Sequence, residues 1–226
     1  MGERIGICSP LKYKSELANT NIILEDYMKT TNKLTVPDLI SIGVFTALYF
    51  VLVTIATFGS AAIFPGFNNV VLPAVCALIS GCVYMLLAAK LQKFGGISVM
   101  GIVMGLFFMT SGHFIVSFAA NIVMGIVADL VAKASNYKSK KGLLLSYVLF
   151  SYGLFGPVLP MWFMKDAYVA NLEARGKDAA YIADLFANIN MGTFVIAVAL
   201  TLVCALVGGW FGQKMVKKHF VKAGIV

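Results

Sequence analysis

His113, Ser117 and Asn121 recur every four residues, which places an imidazole, a hydroxyl and a carboxamide along one helix face. Groups of these types hold the ring nitrogens and hydroxyls of a small ligand, or hydrogen-bond a neighbouring helix. Both readings stay open: a pocket at the end where His113 lies, or interhelical hydrogen bonds worth about 0.6 kcal/mol per pair. Other polar and aromatic residues are expected at the same level. They are Asn68 and Asn69 at the start of one apolar run, Tyr152, Trp162, Lys165 and Asp166 toward the end of another, and Asn188 and Asn190 before a third. Trp and Tyr also anchor helices at any membrane interface, so the clustered asparagines and His113 carry more weight than Trp162 or Tyr168. Lys165 is the only basic residue expected close to a span end on this side, which argues against a polyanionic ligand.

Catalytic signatures are missing. Gly95-Gly96-Ile97-Ser98 lacks the lysine and strand of a phosphate loop, and no HExxH or GxSxG occurs. The two histidines, His113 and His219, fall too far apart to share a metal. No catalytic residue, metal or cofactor is therefore expected, and any ATP-driven work requires a partner. Cys76, Cys82 and Cys204 lie in apolar runs and Cys8 in the polar start, a distribution that suits packing rather than a disulfide framework. Asp129, the one acid well inside an apolar run, is expected to pair with Lys133 four residues on.

These residues are carried by a chain of 226 with 60% hydrophobic residues, 12% charged residues and a mean hydropathy of +0.87. That is far more apolar than an ordinary soluble domain. A crossing takes about 20 residues, so the chain holds five to seven crossings and no separate soluble catalytic domain. The expected architecture is an all-α membrane protein, a bundle of six transmembrane helices. The spans are about 37–58, 69–89, 97–109, 114–132, 142–163 and 190–211. Thr35, Pro37 and Asp38 supply the start signals of the first, and Gly59-Ser60 its expected end. Gly156, Pro157 and Pro160 make the outer end of the fifth irregular, and residues 178–186 are expected to form a short surface helix.

Of the 18 Lys and Arg, about 15 then fall on one side of the membrane and three, Lys165, Arg175 and Lys177, on the other. The positive-inside rule places both termini in the cytoplasm. The net charge of +8 is read as setting this topology, not as a nucleic-acid surface. Three regions follow: a polar cytoplasmic segment over 1–36, the six-helix domain over 37–214 and a basic cytoplasmic tail over 215–226. No run of signal-peptide length is seen in the first segment. Met28 to Lys33 reads like a natural start, which leaves residues 1–27 as either an upstream extension or an irregular tail.

Small residues four apart let helix backbones approach closely. Gly43 and Ala47, Gly101 and Gly105, and Gly208 and Gly212 all show this spacing, for packing within the bundle or against a partner.

The short polar start, the stretch Ile40-Ser41-Ile42-Gly43-Val44-Phe45-Thr46-Ala47-Leu48 and six spans with lysine-rich inner ends resemble a substrate-binding S component of energy-coupling factor (ECF) transporters. Within that group, the Phe64-Pro65-Gly66-Phe67-Asn68-Asn69 loop and the stretch from Gly153 to Trp162 resemble the bacterial Trep_Strep integral membrane family. The resemblance implies a bacterial plasma-membrane subunit that captures a vitamin or its precursor outside the cell and hydrolyses nothing itself. Its implied partners are a transmembrane coupling subunit and two cytoplasmic ATPase subunits. Gly43 and Ala47 stand where the S components carry an AxxxA pair against the coupling subunit. Substrate would be held by the outer loops, here 59–68, 110–113 and 164–189.

The expected ligand is a small heteroaromatic compound such as a hydroxymethylpyrimidine or a pyridoxine-like ring. Asn68, Asn69, His113, Ser117, Asn121, Tyr152, Trp162, Lys165, Asn188 and Asn190 are its candidate contacts. The alternatives are a stand-alone ion-driven transporter and a structural membrane assembly subunit.

Overall fold

Helix α1 (Val36–Ile63) starts where Pro37 fixes the first turn and Thr35 caps it. The Thr35 N–H and hydroxyl each donate to Asp38 Oδ2 at 2.8 Å, which places an acid at the positive end of the helix dipole. The computed structural model describes residues 33–220; the segment before residue 33 and the tail from 221 onward, Cys8 and Lys222 among them, lie outside the described residues. α1 continues past Gly59-Ser60, the expected end. A mid-helix glycine costs only about 1 kcal/mol, and the Phe64 N–H closes the last turn on the Ser60 carbonyl at 2.8 Å.

The expected second span is two helices, α2 (Asn68–Ile79) and α3 (Gly81–Leu91), bent by 44° at Ser80. The cause lies on another helix. A Cβ on Gly81 would sit 2.3 Å from the Gly208 carbonyl oxygen, so the break is where the backbone of the last long helix, Met191–Met215, presses in. α4 (Gly96–Thr110) and α5 (Ile115–Ala134) form the expected hairpin, joined at Gly112, whose φ of +78 favours glycine. α6 (Lys140–Tyr152) ends in a single 3₁₀ turn, Gly153–Phe155, and a one-turn α7 (Pro160–Phe163), as the glycine and prolines foretell. α8 (Lys165–Ala174) and α9 (Ala179–Phe186) form the connection to α10 (Met191–Met215). Asp178 caps α9 through the Tyr181 N–H at 2.7 Å. α8 was not expected; its charged residues, Lys165, Asp166 and Glu173, sit in its first and last turns, and no apolar stripe marks it.

Every regular element among the described residues is helical. α1, α5 and α10 are long and apolar enough to cross a membrane, and the bent α2–α3 pair makes a fourth crossing if it counts as one. α4, 15 residues long, reaches only about 22 Å of the roughly 30 Å hydrocarbon core.

Four tyrosines and phenylalanines fill the centre. Tyr84 packs 4.9 Å from Tyr147 and 5.1 Å from Phe150, and Tyr49 meets Phe150 edge-on at 5.7 Å. An unpaired hydroxyl in lipid costs free energy; the buried Tyr49 hydroxyl has no hydrogen-bond partner among the described residues, whereas those of Tyr84 and Tyr147 each have one. Tyr147 donates to the Ala77 carbonyl at 2.5 Å, and Tyr84 shares a 2.6 Å bond with Ser146, which donates on to Ala128. These bonds tie α2, α3, α5 and α6 together. At one end of the bundle, here the basic end, lie Lys90, Lys93, Lys133, Lys138, Lys140, Lys141, Lys214, Lys217 and Lys218. The opposite, loop end carries Lys165, Arg175 and Lys177 together with the turns 64–67 and 111–114.

Candidate functional site

A cavity of about 180 Å³ lies in the loop-end half of the bundle. α1 contributes Phe50, Val53, Thr54, Thr57 and Phe58 to it; α2 contributes Leu72, Pro73 and Cys76. Phe107 and Phe108 of α4, His113 of the α4–α5 turn, and Leu154 and Pro157 beyond α6 complete the wall. Among the described residues its only polar side chains besides the cysteine are two threonines and the imidazole, and no carboxylate, ammonium or guanidinium lines it. Thr57 donates to the Val53 carbonyl at 2.8 Å and keeps its lone pairs free to accept. The His113 ring stands edge-on to Phe108 at 5.2 Å. Burial, reinforced by the nearby Arg175 charge, holds its pKa below the ordinary histidine value of 6.5.

Of the ten candidate ligand contacts read from the sequence, His113 alone lines this cavity. Ser117 and Asn121 do lie on one buried face of α5, but that face is filled by backbone. Asn121 Nδ2 donates to the Ser117 carbonyl at 2.8 Å and the Gly153 carbonyl at 3.1 Å. A Cβ on Gly156 would fall 2.7 Å from Ser117 Cα. Asn121 thus seats the turn after α6 on α5.

The other candidates brace the loop end. Tyr152 donates to the Val198 carbonyl at 3.1 Å, and Trp162 Nε1 to the Asn190 carbonyl at 3.0 Å. The Asn190 side chain caps α10 by accepting from the Thr193 N–H. The Lys165 ammonium lies 5.1 Å from the centre of the Phe186 ring. Asn68 and Asn69 line a separate cleft of about 80 Å³ with Gly66, Tyr181, Asp184 and Leu185. Asn68 also accepts from the Ser60 hydroxyl at 2.6 Å, while Asn188 Nδ2 donates to the Gly66 carbonyl at 2.9 Å. Reading polarity missed the aromatic and threonine lining. The available signal was Thr54 and Thr57, three apart beside Phe50 and Phe58 in an otherwise apolar helix.

The three small-residue pairs divide sharply. A Cβ on Gly101 would meet the Asn121 carbonyl oxygen at 2.7 Å and one on Gly105 the Phe118 oxygen at 2.9 Å, so that pair joins α4 to α5. Gly208 and Gly212 press on the Leu78 and Gly81 carbonyls in the same way. A Cβ on Gly43 would meet nothing within 4 Å among the described residues, and Gly43 and Ala47 are exposed among Ile40, Val44, Leu48 and Val51. This pair leaves a notch on the outer face of α1.

At the basic end Asp129 is fully buried, and its partner differs from the expected Lys133. Its Oδ2 accepts from the Gly95 N–H at 2.9 Å and from the Ser98 N–H and hydroxyl at 2.9 and 2.8 Å. Its Oδ1 accepts from Tyr137 at 2.6 Å. A carboxylate buried at a helix N-terminus gains several strong hydrogen bonds and the helix dipole, whereas an i+4 lysine would leave those donors unpaired. Lys133 instead stands 4.8 Å from the centre of the Phe94 ring. The role is structural, as expected. At this end Lys93 forms an ion pair with Asp38 at 2.7 Å.

Apolar helices of spanning length, a bundle tied internally by tyrosine hydroxyls and close glycine contacts, and a largely apolar cavity at one end define a polytopic all-α membrane protein. Residues 36–222 match the Trep_Strep family, described as hypothetical bacterial integral membrane proteins, and the chain belongs to that family. No curated protein and no solved structure matches it.

Proposed function

We propose that this chain is the substrate-binding S component of an ATP-driven ECF-type micronutrient transporter in the bacterial plasma membrane. In this reading six segments cross the membrane, with α2–α3 as one bent crossing and α4 and the α6–α7 segment as short ones. Both termini are cytoplasmic, the basic end faces inward, and the cavity receives a small heteroaromatic vitamin or precursor from outside. The division of Lys and Arg between the two ends supports this orientation. The chain carries no phosphate-binding loop, so ATP hydrolysis belongs to two cytoplasmic ATPase partners joined through a transmembrane coupling subunit.

The observation that carries the proposal is the unfilled notch at Gly43 and Ala47. Two pairs of the same spacing are consumed by internal packing, while this one leaves room for a partner's backbone. α1 also lines the cavity through Phe50, Thr54 and Thr57, so a subunit seated on its outer face would act on a helix that touches the ligand. Coexpression with the coupling subunit and ATPases tests this. Gly43→Leu and Ala47→Leu should abolish copurification and leave ligand binding intact; unchanged copurification rejects the interface.

A stand-alone ion-driven transporter is the second reading, favoured by the 44° break at Ser80, since broken helices recur at the binding sites of such transporters. Uptake into liposomes by this chain alone would select it.

A further inference from the structure

We infer that the cavity between α1, α2 and α4 takes an uncharged single-ring compound carrying one or two hydrogen-bonding groups. This rests on reading the chain as a capture subunit and specifies the class of ligand. Size sets the first limit. An apolar cavity of about 150 Å³ accommodates benzene, so 180 Å³ suits one six-membered ring with a short substituent better than a fused-ring or nucleotide-sized compound.

Chemistry sets the second limit. Phe50, Phe58, Phe107 and Phe108 offer ring edges and faces to a flat ligand. A carboxylate or phosphate placed among them would lose its water without gaining a counter-ion. Arg175, which approaches the turn, donates to the Gly112 carbonyl at 3.1 Å and is not part of the lining. The polar handles are the Thr54 and Thr57 hydroxyls on one wall and the His113 imidazole at the loop end. Spaced around an apolar chamber, they suit a ring that bears a hydroxyl or a ring nitrogen and is otherwise hydrocarbon.

Equilibrium dialysis of the full-length protein in lipid nanodiscs tests the inference with three probes: 3-pyridylmethanol, nicotinate and 3-quinolinylmethanol. The first should bind about tenfold or more tightly than the other two, which differ from it by a charge or a second ring. Thr57→Phe should remove binding of 3-pyridylmethanol by filling the chamber. Thr54→Val, nearly isosteric, should weaken it about fivefold through one lost hydrogen bond. Equal binding of nicotinate, or only phospholipid retained in native mass spectra, overturns the inference. If Thr57→Phe loses the wild-type elution profile, Thr54→Val decides, and unchanged affinity there overturns it.

The two proposals fail separately. Absence of ring binding with partner copurification still blocked by Gly43→Leu rejects this ligand class and leaves the capture reading in place. Ring binding with ATP-independent uptake rejects the capture reading and retains the ligand class.

Discussion

Asp129 and Ser98, 31 residues apart, are joined twice, because one carboxylate oxygen accepts both the backbone N–H and the hydroxyl of Ser98. With Gly95 and Tyr137 this makes a buried cap, supplied by α5, on the first turn of α4. Asp129→Ala would strand several donors and should cost about 3 kcal/mol or more. Asp129→Asn should fall between, since its amide oxygen still accepts from the α4 N–H groups. Lys133→Ala should change stability by no more than about 0.5 kcal/mol. Thermal midpoints in detergent check the order; a Lys133→Ala loss as large as that of Asp129→Ala would restore the i+4 pair.

Spacing along one helix made Lys133 visible as a partner for Asp129, yet the stronger partners arrive from a different helix, which spacing cannot report. The same limit hid the break at Ser80. Apolar residues run continuously through 69–89, and what bends them is the approach of Gly208 and Gly212 more than 100 positions later. Local chemistry, by contrast, was legible: Thr35 and Asp38 marked the start of α1, and Gly156, Pro157 and Pro160 marked the irregular end after α6.

The glycine contacts yield opposite outcomes for one chemical change. A Cβ at Gly208 would lie 2.4 Å from the Leu78 carbonyl oxygen, against backbone that cannot yield cheaply. Gly208→Ala should therefore cost about 2 kcal/mol or more. Gly43→Ala meets nothing among the described residues and replaces a poor helix former by a good one, so it should gain up to about 1 kcal/mol. Melting curves of the two variants, recorded together, make the comparison.

His113 should give the fold a pH dependence. Burial and the Arg175 charge hold its folded-state pKa below 6.5, so the unfolded chain binds the proton more readily. Its contribution is fully present above the ordinary value and is lost as pH falls through 6.5 toward the folded value. Below that it stays lost. The wild-type midpoint should drop in this window more than that of His113→Gln, and Arg175→Gln should narrow the difference. Parallel curves for wild type and His113→Gln would show that His113 does not contribute.

The candidate ligand contacts were legible as a cluster at one end of the molecule but not as a pocket. Asn121, Asn188, Asn190 and Trp162 were polar because helix ends, turns and a proline-broken segment need donors and acceptors, and the structure engages each of them with backbone. The cavity was harder to see because its walls are mostly Phe, Leu and Pro, which in an apolar chain look like any lipid-facing surface.

Two hydrogen bonds, one of them that of Asn188, clamp the α8–α9 connection onto the turns beside the cavity. Arg175 Nη1 donates to the Gly112 carbonyl, one residue from His113, and Asn188 Nδ2 donates to the Gly66 carbonyl in the α1–α2 turn. Each is exposed and worth about 1 kcal/mol, or about fivefold in a local opening equilibrium. The double variant Arg175→Ala, Asn188→Ala should therefore raise amide hydrogen exchange across α8 and α9 while α2, α3 and α10, locked by backbone contacts at glycine, keep wild-type rates. Were exchange to rise equally in α10, the connection would be part of the bundle's cooperative core and not a strap over its end.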